Sequence, residues 1–333
     1  RHVHLTHLEC GLCGARHDAK RLQNVCTKCG GTLLARYDLG VVARQHARED
    51  LESGPNNLWR FAPLLPVTDE SHRLTLGEGA TPLLEVPRLV ENLPARQVWV
   101  KEDGLNPTGS FKARGLCMAV AKNVELGATA FAIPTAGNAC AEFVKANPGV
   151  LDVSTLKEPY RAEGKKTMGL ELALHFDWEA PDVVVYPTGG GTGIIGIEKA
   201  FQELNLLGWT KNQMPRLVTV QAEGCSPVVK AFREGKETAE FFTGARTKAA
   251  GLRVPKPFAD RLILRALRNS KGTAVSVSET EIDGGVATLS RTGIQASPEG
   301  GAAWAGFEKL SREGWIRPDD RVVVFNTGSA LAY

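Results

Sequence analysis

The sequence predicts an α/β protein built on a parallel sheet, preceded by a small cysteine-rich unit. Three observations carry this. Short apolar runs of strand length alternate with helix-like stretches from about residue 97 to the end, the pattern that builds parallel sheets. Clusters of Gly, Asn, Ser and Thr follow several of those runs, where α/β sheets place their ligands. Four of the seven cysteines fall in the first 30 residues.

Those four form two pairs, Cys10-x-x-Cys13 and Cys26-x-x-Cys29, each followed by glycine at Gly14 and Gly30-Gly31. The spacing reads as metal ligation in a reducing compartment rather than as a disulfide framework. Four thiolates close a tetrahedron and leave no open position, so the expected ion is a structural zinc. Residues 1–40 are therefore set apart as a zinc-ribbon-like unit, and residues 41–333 as the main body. A nucleic-acid-binding ribbon is the rival, but interleaved aromatics and clustered Lys/Arg are missing. The single cysteines Cys117, Cys140 and Cys225 read as small apolar residues.

Along the main body, Gln97–Lys101, Ala130–Pro134, Val183–Tyr186, Leu217–Val220 and Arg321–Phe325 read as strands. Ala113–Leu126, Thr167–Leu174 and Gly196–Leu207 read as helices. With 43% hydrophobic and 23% charged residues, the chain is a globular protein, not a disordered one. A formal charge of +3 without a basic run gives no nucleic-acid surface. No apolar stretch approaches the roughly 18 residues of a membrane span, and no signal peptide is legible. The start, Arg1-His2-Val3-His4, lacks a methionine, so further sequence is expected ahead of it.

Two clusters carry chemistry. In Asn106-Pro107-Thr108-Gly109-Ser110-Phe111-Lys112 a tight loop delivers a lysine to the start of a helix. The positive field there disfavours a charged amine, and only a free amine attacks a carbonyl. Pro187-Thr188-Gly189-Gly190-Gly191-Thr192-Gly193 sits between a strand and a helix, with four glycines in five positions. Such a loop lets backbone N–H groups cradle a phosphate. It is no Walker loop, yet Gly191-x-Gly193-x-x-Gly196 also fits a dinucleotide fingerprint, with Glu223 as the ribose acid of a nicotinamide-dependent oxidoreductase. Spacing alone leaves both readings open.

The combination of GSFKARG, TAGNA, PTGGGTG and a terminal TGS resembles the fold type II, tryptophan-synthase-type pyridoxal-phosphate enzymes. Within them the chain closely resembles the threonine synthases, through GEGATPL, NPTGSFKARG, STLKEPYRAEGKKT and GLRVPKPFADRLILRAL. The resemblance spans nearly the whole chain and implies two parallel-sheet α/β domains with pyridoxal 5′-phosphate between them. The smaller is expected over about 110–165, the larger over 41–109 and 166–333. By the same resemblance Lys112 would hold the cofactor as a Schiff base and carry protons. Asn138 would bind its 3-oxygen, Gly189, Gly190, Gly191, Thr192 and Gly193 its phosphate, and Thr327 would face the ring nitrogen. Thr135 and Ala136 would receive the substrate carboxylate.

Arg161, Lys165 and Lys166 are candidates for a substrate phosphate, since a dianion calls for fixed cations; a solvated basic face is the alternative. The implied reaction converts O-phospho-L-homoserine and water to L-threonine and phosphate, in a cytoplasmic homodimer with no nucleic-acid or membrane partner. A threonine dehydratase, a diaminopropionate ammonia-lyase and a cysteate synthase share this pattern.

Only 13 residues separate Asn138 from Asp152, where the family places a crossover helix and more. Roughly 40 residues are missing on that comparison. A mobile segment left out near Cys140 is expected, visible as a Cα–Cα separation far above ~3.8 Å between Asn138 and Pro148.

Overall fold

The computed structural model describes residues 4–133, 139–147, 149–211 and 213–332. It opens with strands β1 (Leu5–Cys10), β2 (Arg16–His17) and β3 (Leu33–Tyr37), an antiparallel ribbon in the order β2-β1-β3. Helices α1 (Leu39–Gln45) and α2 (Arg48–Glu52) lead away from it. Next come β4 (Leu83–Glu85), β5 (Gln97–Glu102) and α3 (Lys112–Glu125), then β6 (Ala130–Ala132), α4 (Ala139–Ala146) and β7 (Val150–Asp152). The remainder runs α5 (Arg161–His175), β8 (Val183–Pro187), α6 (Thr192–Leu206), β9 (Arg216–Ala222) and α7 (Pro227–Arg233). It ends with α8 (Asp260–Asn269), β10 (Thr273–Val277), α9 (Glu279–Ser290), α10 (Pro298–Arg312) and β11 (Arg321–Asn326).

Six strands form the main sheet in the order β10-β9-β8-β11-β5-β4. All neighbours pair in parallel except β4, which runs antiparallel to β5 at the edge. A parallel sheet covered on both faces needs strands that are apolar on both sides, and β8 (VVVYP) is buried at every residue. Successive side chains alternate between two cores. Val184 and Tyr186 join Val323 and Phe325 under α5, α6 and α8. Val183 and Val185 join Val322 and Val324 against Trp304 and Phe307 of α10. Because β5, β8 and β11 are in parallel register, their carboxyl ends open on one side: Glu102, Pro187 and Asn326. The glycine loop and Thr327 follow two of those ends directly.

β6 and β7 form a separate two-stranded parallel sheet, with α4 packed against β7. Of the interval Asn138–Pro148, where a wide separation is expected, residues 138 and 148 lie outside the described residues, and Ala139–Ala146 between them forms α4. Thr135 and Ala136, like Asn138, also lie outside the described residues.

α5 starts six residues before the stretch that reads as helical. Its first turns carry Arg161, Glu163, Lys165 and Lys166, all buried. Charged residues at a helix start look like a solvated loop in sequence, but here they are paired inside the protein. Lys166 Nζ lies 2.6 Å from Glu163, 2.8 Å from Glu203 and 4.2 Å from the centroid of the Tyr37 ring.

Candidate active site

The carboxyl ends of the strands open into a cavity of about 670 Å³. Its walls bring together Lys112, the loop Gly189–Gly193, Thr327, Arg161 and Lys165.

Lys112 is the first residue of α3, and its place is fixed by what precedes and follows it. Phe111 N–H donates to Thr327 O at 2.9 Å, and Ser329 N–H to Gly109 O at 2.8 Å. Ser110 and Gly328 bridge, so the loop before α3 is stitched to the end of β11. Two residues on, Arg114 is fully buried. Its guanidinium donates twice to Asp103 at 2.9 Å and reaches both oxygens of Glu171, at 2.5 and 2.9 Å. Lys101 donates to the same Glu171 at 2.7 Å. Burial pushes the Glu171 carboxyl up, but Arg114 and Lys101 outweigh it and hold the group far below its usual range. A closed network of this kind fixes geometry, because breaking it would leave a buried charge unpaired. It locks α3 to the end of β5 and to α5. Arg114 was legible as part of GSFKARG, but its partners were not.

The glycine loop turns the chain from β8 into α6. Gly191 caps α6 with φ +84, a left-handed conformation that glycine takes without penalty. A Cβ there would also meet Ile263 of α8 at 2.2 Å. Gly191, Thr192 and Gly193 line the cavity, and the N–H groups of a first helical turn have no partner within the helix, an arrangement that suits a phosphate.

Arg161 and Lys165 stand four residues apart on α5 and share the face that lines the cavity. Arg161 Nη1 donates to Val153 O at 2.8 Å, while its buried Nε has no partner. Lys165 donates to Phe111 O and lies 3.9 Å from the Phe111 ring centroid. Burial, then Arg161, pushes the Lys165 ammonium well below its usual range. Lys166 requires a correction. One residue further along a helix turns a side chain by about 100°, and Lys166 points away from the cavity into its cluster with Glu163 and Glu203.

Among the described residues, three buried polar atoms of cavity-lining side chains lack a partner: Arg161 Nε, Tyr186 Oη and Glu299 Oε2. Buried polar groups left unpaired are costly, so the cavity is built for a ligand that both accepts and donates. Sequence reasoning gave neither Tyr186 nor Glu299 a role. The other oxygen of Glu299 accepts from Gly251 N–H at 2.7 Å, and so ties α10 to the wall beside Gly189. Glu223, the ribose acid of the dinucleotide reading, is exposed and does not line the cavity.

Behind Thr327, Asn326 Nδ2 donates to both oxygens of Glu102, at 2.8 and 3.0 Å. Burial raises this carboxyl to about 7, although Asn326 and Gly104 N–H pull it down. A carboxyl raised in the fold binds more protons native than unfolded. Its contribution is therefore complete at low pH and fades as pH climbs from about 4.5 to about 7. Thermal midpoints measured across that window should fall more steeply for the wild type than for Glu102→Gln. Parallel slopes would refute this.

In the ribbon, the four thiol sulfurs of Cys10, Cys13, Cys26 and Cys29 lie within 4.8 Å of one another. Neighbouring pairs stand 3.4 to 3.7 Å apart. A tetrahedron with Zn–S near 2.3 Å has edges of about 3.8 Å, so the donor set fits zinc. His17 Nε2, 3.3 Å from Cys26 Sγ, stands where a ring N–H would support a thiolate.

The chain matches the family described as "Pyridoxal-phosphate dependent enzyme" over residues 74–146 and 139–328. It is 33% identical to a threonine synthase of Methanosarcina acetivorans, covering 98% of this chain and 92% of that protein. A threonine synthase of Methanocaldococcus jannaschii is 30% identical, with 97% and 92% covered. Among solved structures, a serine racemase from maize aligns with a TM-score of 0.60 at 17% identity, covering 75% of this chain and 88% of that one. That likeness concerns the fold. The Methanosarcina alignment spans 376 positions, more than the 333 residues present here. The family match breaks within 139–146, inside the stretch that reads as shortened.

Proposed function

For a chain that belongs to the pyridoxal-phosphate dependent enzyme family, we propose conversion of O-phospho-L-homoserine and water to L-threonine and phosphate. The observation that carries this is a single cavity holding the lysine, the glycine loop and a buried cationic pair, in a chain with threonine synthase relatives along nearly its whole length. The nicotinamide alternative falls with the family match.

The cavity fits the cofactor on its own chemistry. The α6 opening suits the phosphate tail, the Lys112 amine the aldehyde, and the Thr327 hydroxyl the ring nitrogen. Bound there, pyridoxal phosphate would supply the electron sink for charge developing beside the substrate amine. A hydroxyl, unlike a carboxylate, cannot keep that nitrogen protonated, so the sink is a weak one. This suits chemistry carried on to the β and γ carbons.

Lys112 takes the proton from the α carbon and from the β carbon, and returns a proton to the α carbon once water has added. Arg161 and Lys165 hold the substrate phosphate, and a dianion at hand restores the charge that burial takes from Lys165. The γ C–O bond breaks as phosphate leaves, a proton reaches the γ carbon, and water oxygen adds at the β carbon. Water must stay out until elimination is complete. Closure of a smaller part of the expected domain at about 110–165 would serve this, with α3 left on the larger body to which the Arg114 network ties it. The small β6–β7 sheet supports that division. The reading extends to a homodimer in the cytoplasm, without nucleic-acid or membrane partners. Among the described residues no helix is long and apolar enough to cross a membrane.

The test compares phosphate release from O-phosphohomoserine with ammonia release from threonine. Phosphate release should dominate, and product analysis should show threonine. Dominant ammonia release would instead make the protein a deaminating lyase.

A further inference from the structure

One cavity donor is left idle by this reading. Tyr186 sits near the end of β8, its ring edge-on to Phe111 at 6.0 Å and tilted against Phe325 at 5.1 Å. It is 2% exposed. Two aromatic neighbours fix the ring, so the hydroxyl has one place to be. A Cβ on Gly193 would come within 2.1 Å of Oη. The hydroxyl thus fills the space that a side chain at 193 would take. Helical Cβ vectors tilt towards the helix N-terminus, which places Oη beside the opening of α6 where the free N–H groups converge. Burial pushes this phenol well above its ordinary range, so it remains a neutral donor at any working pH.

Resting on the cofactor reading above, we propose that Tyr186 Oη–H donates a hydrogen bond to the phosphate tail of the cofactor at the α6 opening. A phosphate monoester dianion offers acceptors and no donor, and the Tyr186 hydroxyl is buried with a proton to give and, among the described residues, no oxygen that receives it. Arg161 and Lys165, on the α5 wall, remain for the substrate phosphate. The two anions are then held by different chemistry, one by neutral donors and one by cations.

The experiment compares wild type with Tyr186→Phe, each stripped of cofactor. Pyridoxal phosphate is titrated by absorbance, inorganic phosphate by competition, and the bound cofactor phosphorus is observed by NMR. Loss of a hydrogen bond to a charged group should weaken both ligands roughly tenfold or more and shift the phosphorus resonance. Unchanged affinities and resonance overturn the proposal. So does a change confined to the KM for the phosphorylated substrate, which would assign the hydroxyl to that ligand. Should Tyr186→Phe fail to fold, replacing tyrosine by 3-fluorotyrosine, which keeps the ring and alters only the strength of the hydroxyl donor, must shift the bound phosphorus resonance, and an unmoved resonance overturns the proposal. A wild type that takes up no pyridoxal phosphate at Lys112 would sink the family reading of the cavity and this inference with it, a result distinct from equal binding by both proteins.

Discussion

Lys112→Ala is expected to lose turnover by about 10³-fold or more, together with the visible absorbance of the lysine-linked cofactor. Two roles go at once. The amine is the covalent anchor, and it is also the base that the proposed reaction needs at the α carbon. The loss should be chemical rather than structural. Lys112 is exposed to the cavity, while the Arg114 network that seats α3 does not involve it. The thermal midpoint should therefore stay within a few degrees. Borohydride treatment of the wild type, followed by peptide mapping, should place the reduced cofactor on Lys112 and nowhere else. A small primary amine added to the variant should restore part of the rate, because truncation leaves room for it in the cavity. An alanine variant with full activity, or a wild type that stays colourless with added cofactor, would end the proposal.

Much of this architecture was legible because a parallel sheet buried on both faces writes itself as uninterrupted apolar runs. Val183–Tyr186 and Arg321–Phe325 became β8 and β11, and the polar clusters after them fell at the carboxyl ends. β10 (TAVSV) escaped notice because Thr and Ser dilute its apolar signal, and β4 because three residues give no pattern. The start of α5 was hidden for a different reason. Its charges looked solvated, and only tertiary structure supplies Glu203 from α6 and Tyr37 from β3 to pair with Lys166. That pairing also removed Lys166 from the cavity, whereas Arg161 and Lys165 stayed. Tyr186 and Glu299 carry no motif. Their meaning lies in unpaired atoms, a property of packing rather than of spacing.

The ribbon offers the second large effect. Its contacts with the body land on elements that shape the cavity. Gly11 packs on Leu262 and accepts from Arg265 at 3.0 Å, and both belong to α8, whose Ile263 lies under Gly191. Asn24 donates to Asp152 O at 2.5 Å, on the cavity wall. Tyr160, next to Arg161, donates to Ala19 O at 3.3 Å. Tyr37 donates to Glu163 at 2.8 Å, between Arg161 and Lys165 on α5. The buried residues of the ribbon, such as Leu8, Leu33 and Leu34, belong to the core of the body and not to one of its own, so an ion on the four thiolates would set its local fold. Chelating the metal under reducing conditions should lower the thermal midpoint by roughly 4 °C, as expected if about 3 kcal/mol of docking is lost from a chain of 333 residues. Cofactor affinity should fall with it, since α8 and α5 lose their outer support. Metal content, unfolding and pyridoxal phosphate titration on one preparation would check this. A metal-free protein with both properties intact would show that the docked segments hold without the ion. A lowered midpoint with unchanged affinity would confine the ribbon to global stability and leave the cradle to be held by the sheet alone.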